Sequence, residues 1–169
     1  PSRSSAASDV YKRQEYDGTP FVGWQRQENG QSVQGCIEKA INNIFEENIT
    51  IFGAGRTDAG VHAMGQVAHF DVTDKLLEPY VIKNALNDHL RPFPISILEV
   101  EKAHNDFHAR FDATQRKYLY RIVNRKSPLT IEKGRAWQVH KDIDIDLMKE
   151  CIPVSYTHLR AHETHDELV

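Results

Sequence analysis

The chain has 169 residues, of which 40% are hydrophobic and 27% are charged. This balance is typical of a soluble globular protein and excludes a disordered or collagen-like chain. The apolar runs are too short to cross a bilayer, and residues 1–14 lack the apolar core of a secretory signal, so we expect a cytoplasmic protein with no membrane partner. Two cysteines, Cys36 and Cys151, predict unpaired thiols rather than a disulfide framework or a zinc site.

The net charge of −3 is distributed unevenly along the chain. Residues 104–126 contain six Lys and Arg residues and two Asp residues, so this stretch alone carries a charge of +4. A basic stretch in an acidic protein indicates local binding of a phosphate backbone. The alternative is a solvated strand edge whose charges prevent aggregation.

The predicted elements alternate between strands and helices. Ser32 can cap a helix over about residues 33–47, where apolar side chains recur every three to four positions. The pattern further predicts strands over residues 49–53, 66–72, 95–100 and 114–124, a helix over 77–90, an edge strand over 137–139 and a short helix over 145–152. This order predicts an α+β, ferredoxin-like (RRM-like) sandwich: helices on one face of a mostly antiparallel sheet, and the other face open for a ligand.

The two ends fit this pattern poorly. Residues 1–14 are rich in Ser and Ala and aperiodic where a first strand is expected, and residues 154–169 are polar with three histidines. Both stretches resemble translated cloning or adaptor DNA, so we expect them to be foreign to a domain of residues 15–153. His162 and His165 are spaced one residue too closely for a His-Glu-x-x-His zinc helix, so we predict no metal site there.

The run GAGRTDAGVH at residues 53–62 is the best candidate for chemistry. Its glycines and alanines let the backbone turn sharply, and Arg56 and Asp58 alternate so that one turn can aim both at the same pocket. A nearby guanidinium keeps a carboxylate ionised and fit to act as nucleophile or base. The spacing alone favours a simpler arrangement, in which Asp58 caps the turn and pairs with Arg56 at the surface. A phosphate-cradling loop is disfavoured, because the run lacks a Lys-Ser/Thr ending and leads into a strand.

Residues 55–62, GRTDAGVH, resemble the active-site signature of the TruA-type tRNA pseudouridine synthases. Three further blocks are similar to the same family in the same order: YDGTPFVGWQRQ at 16–27, GQVAHF at 65–70 and DFHARF at 106–111. The resemblance covers about residues 15–153. It implies the pseudouridine synthase fold and the isomerisation of uridine to pseudouridine at positions 38–40 in the anticodon stem-loop of tRNA.

The resemblance also implies roles for three side chains. Asp58 is the essential aspartate, Arg56 helps to open the RNA helix and fill the space of the flipped base, and Tyr118 packs against the target uracil. These roles suit the chemistry, because an enzyme that breaks a glycosidic bond must first unstack the base, and an aromatic ring holds an extruded base by its face. Without the resemblance, Tyr118 would be interpreted as a core tyrosine on a strand.

Other polar side chains suit the RNA backbone, because guanidinium and amide groups bind phosphate and ribose oxygens. The candidates are Gln25, Arg26, Gln27, Arg110, Arg116 and Lys117.

The implied reaction detaches uracil from C1′ of its ribose and rejoins it through C5 without gain or loss of atoms, so we expect no cofactor. Asp58 could attack C1′, add to C6 of the ring or take a proton from C2′, and the sequence leaves the three routes open. Thr57 and His62 are close enough in sequence to orient the aspartate. We expect His62 to be a hydrogen-bonded loop histidine rather than a proton carrier.

Members of the family continue through a second, related half that completes the RNA cleft, and they act as homodimers. The sequence therefore predicts a truncated member that keeps Asp58 and its surroundings and has weak or no activity alone. One alternative is a non-catalytic RNA-binding module that uses basic and aromatic residues of an open sheet. Another is a structural fragment whose unpaired sheet edges drive self-association.

Overall fold

The computed structural model describes residues 8–72, 77–104 and 106–158. The chain divides into two compact units, Pro1–Ala113 and Thr114–Val169, and each is described by itself. In the described ranges, every helix is too short or too polar to span a membrane.

The first unit is a four-stranded sheet with two helices. Its elements are β1 (Ser8–Tyr16), α1 (Val33–Phe45), β2 (Phe52–Gly53), β3 (Ala63–Val72), α2 (Pro79–His89) and β4 (Ile95–Lys102). The sheet order is β2-β3-β1-β4, and every neighbouring pair is antiparallel. This combination of element order and sheet order is the ferredoxin-like arrangement, so the predicted fold class is confirmed.

Helix α1 forms as its sequence pattern predicts. The Ser32 hydroxyl accepts a hydrogen bond from Gly35 N at 3.1 Å and caps the first turn. The apolar face of α1 packs with α2 and the sheet to form the core of the unit. The helix ends at Phe45 rather than at residue 47, because Glu46 adopts a left-handed conformation with φ of 60°.

Strand β1 occupies the centre of the sheet, although the sequence pattern did not indicate a strand there. It pairs with β3 on one side and with β4 on the other. Its core-facing side chains are Val10, Lys12, Gln14 and Tyr16, and all four are buried. Because Lys12 and Gln14 interrupt the apolar alternation by which a half-buried strand is recognised, the pattern gave no signal.

Lys12 belongs to a polar group within this core. Its Nζ donates a hydrogen bond to Gln14 Oε1 at 3.0 Å and lies 5.9 Å from the ring centre of Trp24. Burial lowers the pKa of Lys12 from 10.5 to about 7, and the negative charge of Glu38 opposes this shift. The ammonium form is therefore the costly one in the folded state.

We predict that Lys12→Met stabilises the first unit, because methionine has a similar shape and no charge to desolvate. Between pH 7 and pH 10.5 the unfolded chain holds a proton at Lys12 that the folded chain has released, so the wild-type free energy of unfolding rises with pH across this window. Below pH 7 the variant should exceed the wild type by about 1–4 kcal/mol, and the difference should shrink above that pH. Urea unfolding at a series of pH values measures both.

Arg13→Gln is the matched control on the same strand. Arg13 is 47% exposed and pairs with Glu99 at 3.1 Å. Its loss should change the free energy of unfolding by less than about 1 kcal/mol, as for other exposed pairs. Equal stabilities of wild type and Lys12→Met at pH 6 would contradict the buried charge.

The remaining strands of the first unit differ from their predicted bounds at the ends. Strand β2 has only two of the five residues predicted, because Ile51 N donates to the Glu38 carboxylate at 3.1 Å instead of entering the sheet. Strand β3 begins three residues early, at Ala63, and β4 continues to Lys102. Helix α2 lies within the predicted range and begins at Pro79, a residue favoured in a first turn.

The second unit contains β5 (Ile122–Asn124), β6 (Trp137–Val139) and α3 (Ile145–His158). The prediction of a strand over residues 114–124 is wrong for all but its last three residues. β5 and β6 pair in parallel and form a sheet of their own, so β6 extends the main sheet at neither edge. Residues 114–121 alternate in the sequence but are not part of a strand, because alternation alone cannot form a ladder.

The stretches predicted to be foreign fall partly outside the described residues. Residues 1–7 and 159–169, with His162 and His165, are not described. Within the described ranges, no three His, Cys, Asp or Glu side chains are placed to hold a metal ion.

Candidate active site

Residues 54–62, here called the aspartate loop, connect β2 to β3 at one end of the sheet. Ala54 N donates to Val67 O at 2.8 Å and continues the antiparallel pairing beyond β2. The side-chain amide of Gln66 donates to Gly55 O at 2.6 Å. The base of the loop is therefore fixed to β3 by two hydrogen bonds.

The tip of the aspartate loop presents both charged residues of the run. Arg56 and Asp58 are exposed. Asp58 O accepts a hydrogen bond from Val61 N at 3.2 Å, and Gly60 has φ of 80°, a left-handed conformation that favours glycine. The pairing of Arg56 with Asp58 that their spacing favours stays a prediction.

Residues 16–24, here called the facing segment, run alongside the aspartate loop. Trp24 N donates to Thr57 O at 2.9 Å, and Gly18 N donates to His62 Nδ1 at 3.0 Å. The first two blocks of the family resemblance are thus one structural assembly. The facing segment fixes the tip of the loop as β3 fixes its base.

Two glycines allow this close approach. A Cβ atom on Gly18 would overlap the main chain of Val61, and one on Gly23 would lie 2.7 Å from Thr57 O. Gly23 also has φ of 119°, which side-chain-bearing residues rarely adopt. Any larger residue at either position would push the aspartate loop away.

His62 is a hydrogen-bonded loop histidine, as expected from the sequence. Its Nδ1 accepts from Gly18 N and lies 3.1 Å from Asp17 Oδ1. The atom accepts from Gly18 only without a proton and donates to Asp17 only with one, so the two contacts belong to different protonation or tautomeric states. In either state, His62 ties the end of the aspartate loop to the facing segment.

Gln25, Arg26 and Gln27 follow the facing segment and are exposed. Arg26 is also engaged within the fold, because its guanidinium bonds to the buried carboxylate of Glu38 at 3.1 Å. The side-chain amide of Gln27 reaches a main-chain carbonyl of the facing segment at 3.4 Å. Arg26 therefore compensates a buried charge in addition to any contact with RNA.

Arg110 lies exposed on the loop that follows β4. This loop folds over the sheet face opposite the helices: Ala109 N donates to His69 Nδ1 at 3.1 Å, and the rings of Phe107 and His108 lie 5.8 and 4.7 Å from that of His69. His69 is completely buried as a result. This face of the sheet was expected to be open for a ligand, and at His69 that expectation is wrong. The third and fourth blocks of the family resemblance, residues 65–70 and 106–111, are in contact here.

Arg116, Lys117 and Tyr118 belong to the second unit and precede β5. Arg116 and Lys117 are exposed, whereas Tyr118 is half-buried. The strand on which Tyr118 was expected is not formed at this residue.

Sequence reasoning missed the residues that hold the loop, namely Tyr16, Gly18 and Gly23. It interpreted their block as a source of RNA contacts, through residues 25–27. The glycines themselves were the available signal, because paired glycines near aromatic residues mark a close approach of two backbones.

Comparison with known proteins gives consistent matches. The profile of the family described as tRNA pseudouridine synthase matches residues 13–112. The tRNA pseudouridine synthase A of Sinorhizobium medicae is 58% identical over 138 residues, which are 80% of this chain and 56% of that protein. Those of Parvibaculum lavamentivorans and Ehrlichia ruminantium are 53% identical over 136 residues and 52% identical over 139 residues, respectively. These alignments cover 80% and 82% of this chain, and 55% and 56% of the relatives.

A ferredoxin-like sheet that presents an aspartate on a glycine-rich loop, together with these matches, defines a pseudouridine synthase fold. The chain belongs to the tRNA pseudouridine synthase family. The predicted family is therefore confirmed. The chain spans about half the length of the curated relatives it matches. The profile match includes the aspartate loop and the facing segment, and it ends before Tyr118.

We predict that Gly23→Ala destabilises the first unit by about 1–3 kcal/mol, because it combines a disfavoured φ with a close contact to Thr57 O. Gly55→Ala is the control, since a Cβ atom there meets nothing within 4 Å. It should change the free energy of unfolding by less than about 0.5 kcal/mol. Urea unfolding followed by far-UV circular dichroism measures both, and equal effects would contradict the packing described for Gly23.

Proposed function

We propose that the chain provides the catalytic aspartate of an enzyme that isomerises uridine to pseudouridine at positions 38–40 of the tRNA anticodon stem-loop. Asp58 is the essential carboxylate. The observation that carries the proposal is its exposure at the tip of a loop held at both ends, by β3 and by the facing segment. Such a loop presents a carboxylate to a large substrate without a cost of ordering at the moment of binding.

The chemistry needs few groups. Isomerisation breaks the bond between C1′ and N1, rotates the uracil and forms a bond between C1′ and C5. The hydrogen on C5 leaves as a proton and N1 gains one, so the atoms balance without a cofactor. Asp58 serves as nucleophile at C1′ or C6, or as base at C2′.

The other site residues bind and position the RNA. Arg56, exposed next to the tip, fills the space left by the flipped base, and Tyr118 stacks on the uracil. Backbone contacts come from Gln25, Arg26, Gln27, Arg110, Arg116 and Lys117. The exposure of all six side chains supports this role. Arg26 binds phosphate only through the guanidinium edge that Glu38 leaves uncovered.

Residues 15–153 form the family domain, and residues 1–14 and 154–169 are foreign to it. The support for the first boundary is the buried Lys12 and Gln14, which place polar side chains at the core-facing positions of a central strand. We further propose that the whole enzyme is cytoplasmic and that it acts as a homodimer, as the family resemblance implies. Sedimentation equilibrium over a range of concentrations measures the assembly of this chain.

We predict that Asp58→Asn abolishes product formation and leaves tRNA binding within about twofold, because the substitution removes the charge and keeps the shape. Release of tritium from C5-labelled uridine in tRNA measures turnover, with the chain in excess so that a slow single turnover is detectable. Asp88→Asn is the control, since Asp88 is an exposed residue of α2, on the helical side of the sheet. Lost binding with unchanged turnover would move the chemistry elsewhere.

A chimera with a full-length relative tests the role of Asp58 independently of the length of this chain. Residues 15–153 replace the matching part of the Sinorhizobium medicae relative, and turnover is measured with and without Asp58→Asn. The proposal requires turnover that disappears with the carboxylate. A chimera that binds tRNA and is inactive with either residue would instead identify a non-catalytic RNA-binding module.

A further inference from the structure

Tyr16 joins the centre of the sheet to the aspartate loop. It is the last residue of β1 and pairs with Ala63 of β3 and with Ile95 of β4, so its main chain is held on both sides. Its side chain is 4% exposed and packs against the Trp24 ring, with ring centres 6.1 Å apart.

The hydroxyl of Tyr16 lies 2.8 Å from Thr57 Oγ1, a hydrogen-bond distance. Burial raises the pKa of Tyr16 to about 12, although the hydrogen bond with Thr57 acts in the opposite direction. The phenol is therefore neutral at physiological pH, and either hydroxyl can donate this hydrogen bond.

Thr57 is held from two directions. Its side chain meets Tyr16, and its carbonyl accepts from Trp24 N at 2.9 Å. These contacts fix the side chain and carbonyl of Thr57, the residue directly before Asp58. The direction in which the Asp58 carboxylate leaves the backbone depends on that residue.

We propose that Tyr16 is a positioning residue for Asp58, acting through the hydrogen bond between its hydroxyl and Thr57. The inference rests on the proposed function of Asp58 as the essential carboxylate. Tyr16 touches neither substrate nor reacting atoms. It confines the aspartate loop to the arrangement in which the carboxylate reaches the ribose or the uracil.

Tyr16→Phe removes the hydroxyl and keeps the buried ring. Because small displacements of a reacting group are costly, the single-turnover rate constant should fall by about 10- to 100-fold while the Kd for tRNA stays within about twofold. Amide hydrogen exchange in residues 57–61 should become about tenfold faster, the factor expected for the loss of one hydrogen bond. Tyr80→Phe is the control, since Tyr80 is 69% exposed on α2.

Variants of Thr57 test whether the two hydroxyls act as a pair. Thr57→Val should reproduce the effects of Tyr16→Phe, and Thr57→Ser, which keeps a hydroxyl, should recover most of the lost rate. The double variant Tyr16→Phe/Thr57→Val should be no slower than either single variant, because both remove the same bond.

The outcomes separate this inference from the proposed function. A rate constant and an exchange rate that Tyr16→Phe leaves unchanged would overturn it, as would additive losses in the double variant or a serine that recovers nothing. A rate loss that only follows the fraction of unfolded protein in urea would assign Tyr16 a merely structural role. If the wild-type chain gives no product, the rate constants are measured in the chimera instead. A chimera that gives no product with Asp58 in place would overturn the proposed function, and the exchange rates of Tyr16→Phe, Thr57→Val, Thr57→Ser and the double variant would still decide whether Tyr16 holds the loop.

Discussion

The close approach of two backbones, at Gly18 and Gly23, is the constraint on which the geometry of the site depends. Side chains larger than hydrogen at these positions would separate the facing segment from the aspartate loop. Because the facing segment continues directly from the central strand β1, contact with it ties the loop to the most constrained part of the sheet. A loop joined only to β2, which is two residues long, would lack this second attachment. The exposed carboxylate therefore gains a fixed position without being buried, and burial would have opposed its charge.

Much of the fold could be predicted from the sequence, because local patterns were strong where each element packs in the ordinary way. Helix α1 has a capping serine and an apolar face, and both features act as they do in other helices. The pattern failed at β1, since Lys12 and Gln14 occupy core positions that usually identify a strand. The opposite failure occurs at residues 114–121, where the sequence alternates but no strand is formed.

The sequence identified candidate residues of the site but did not predict their geometry. Family resemblance selected Asp58, but a spacing of two residues within a turn does not determine whether its side chain meets that of Arg56. The contact between Arg26 and Glu38 was likewise invisible, because it joins a loop to a helix face that only the tertiary fold brings together. Contacts of this kind depend on the fold, whereas sequence patterns report only neighbours along one element.

The polar group in the core, which contains Lys12 and Gln14, lies next to the site. Lys12 lies near the Trp24 ring, and Trp24 N holds Thr57, so only two residues separate the buried ammonium from Asp58. The contacts to the aspartate loop nevertheless begin at Tyr16, the first core-facing residue after Gln14. A replacement of the strand before residue 15 would therefore reduce the stability of the sheet and leave the groups that hold the loop in place. Tyr16 thus belongs both to the core of the sheet and to the contacts that hold the aspartate loop, whereas Lys12 and Gln14 belong to the core.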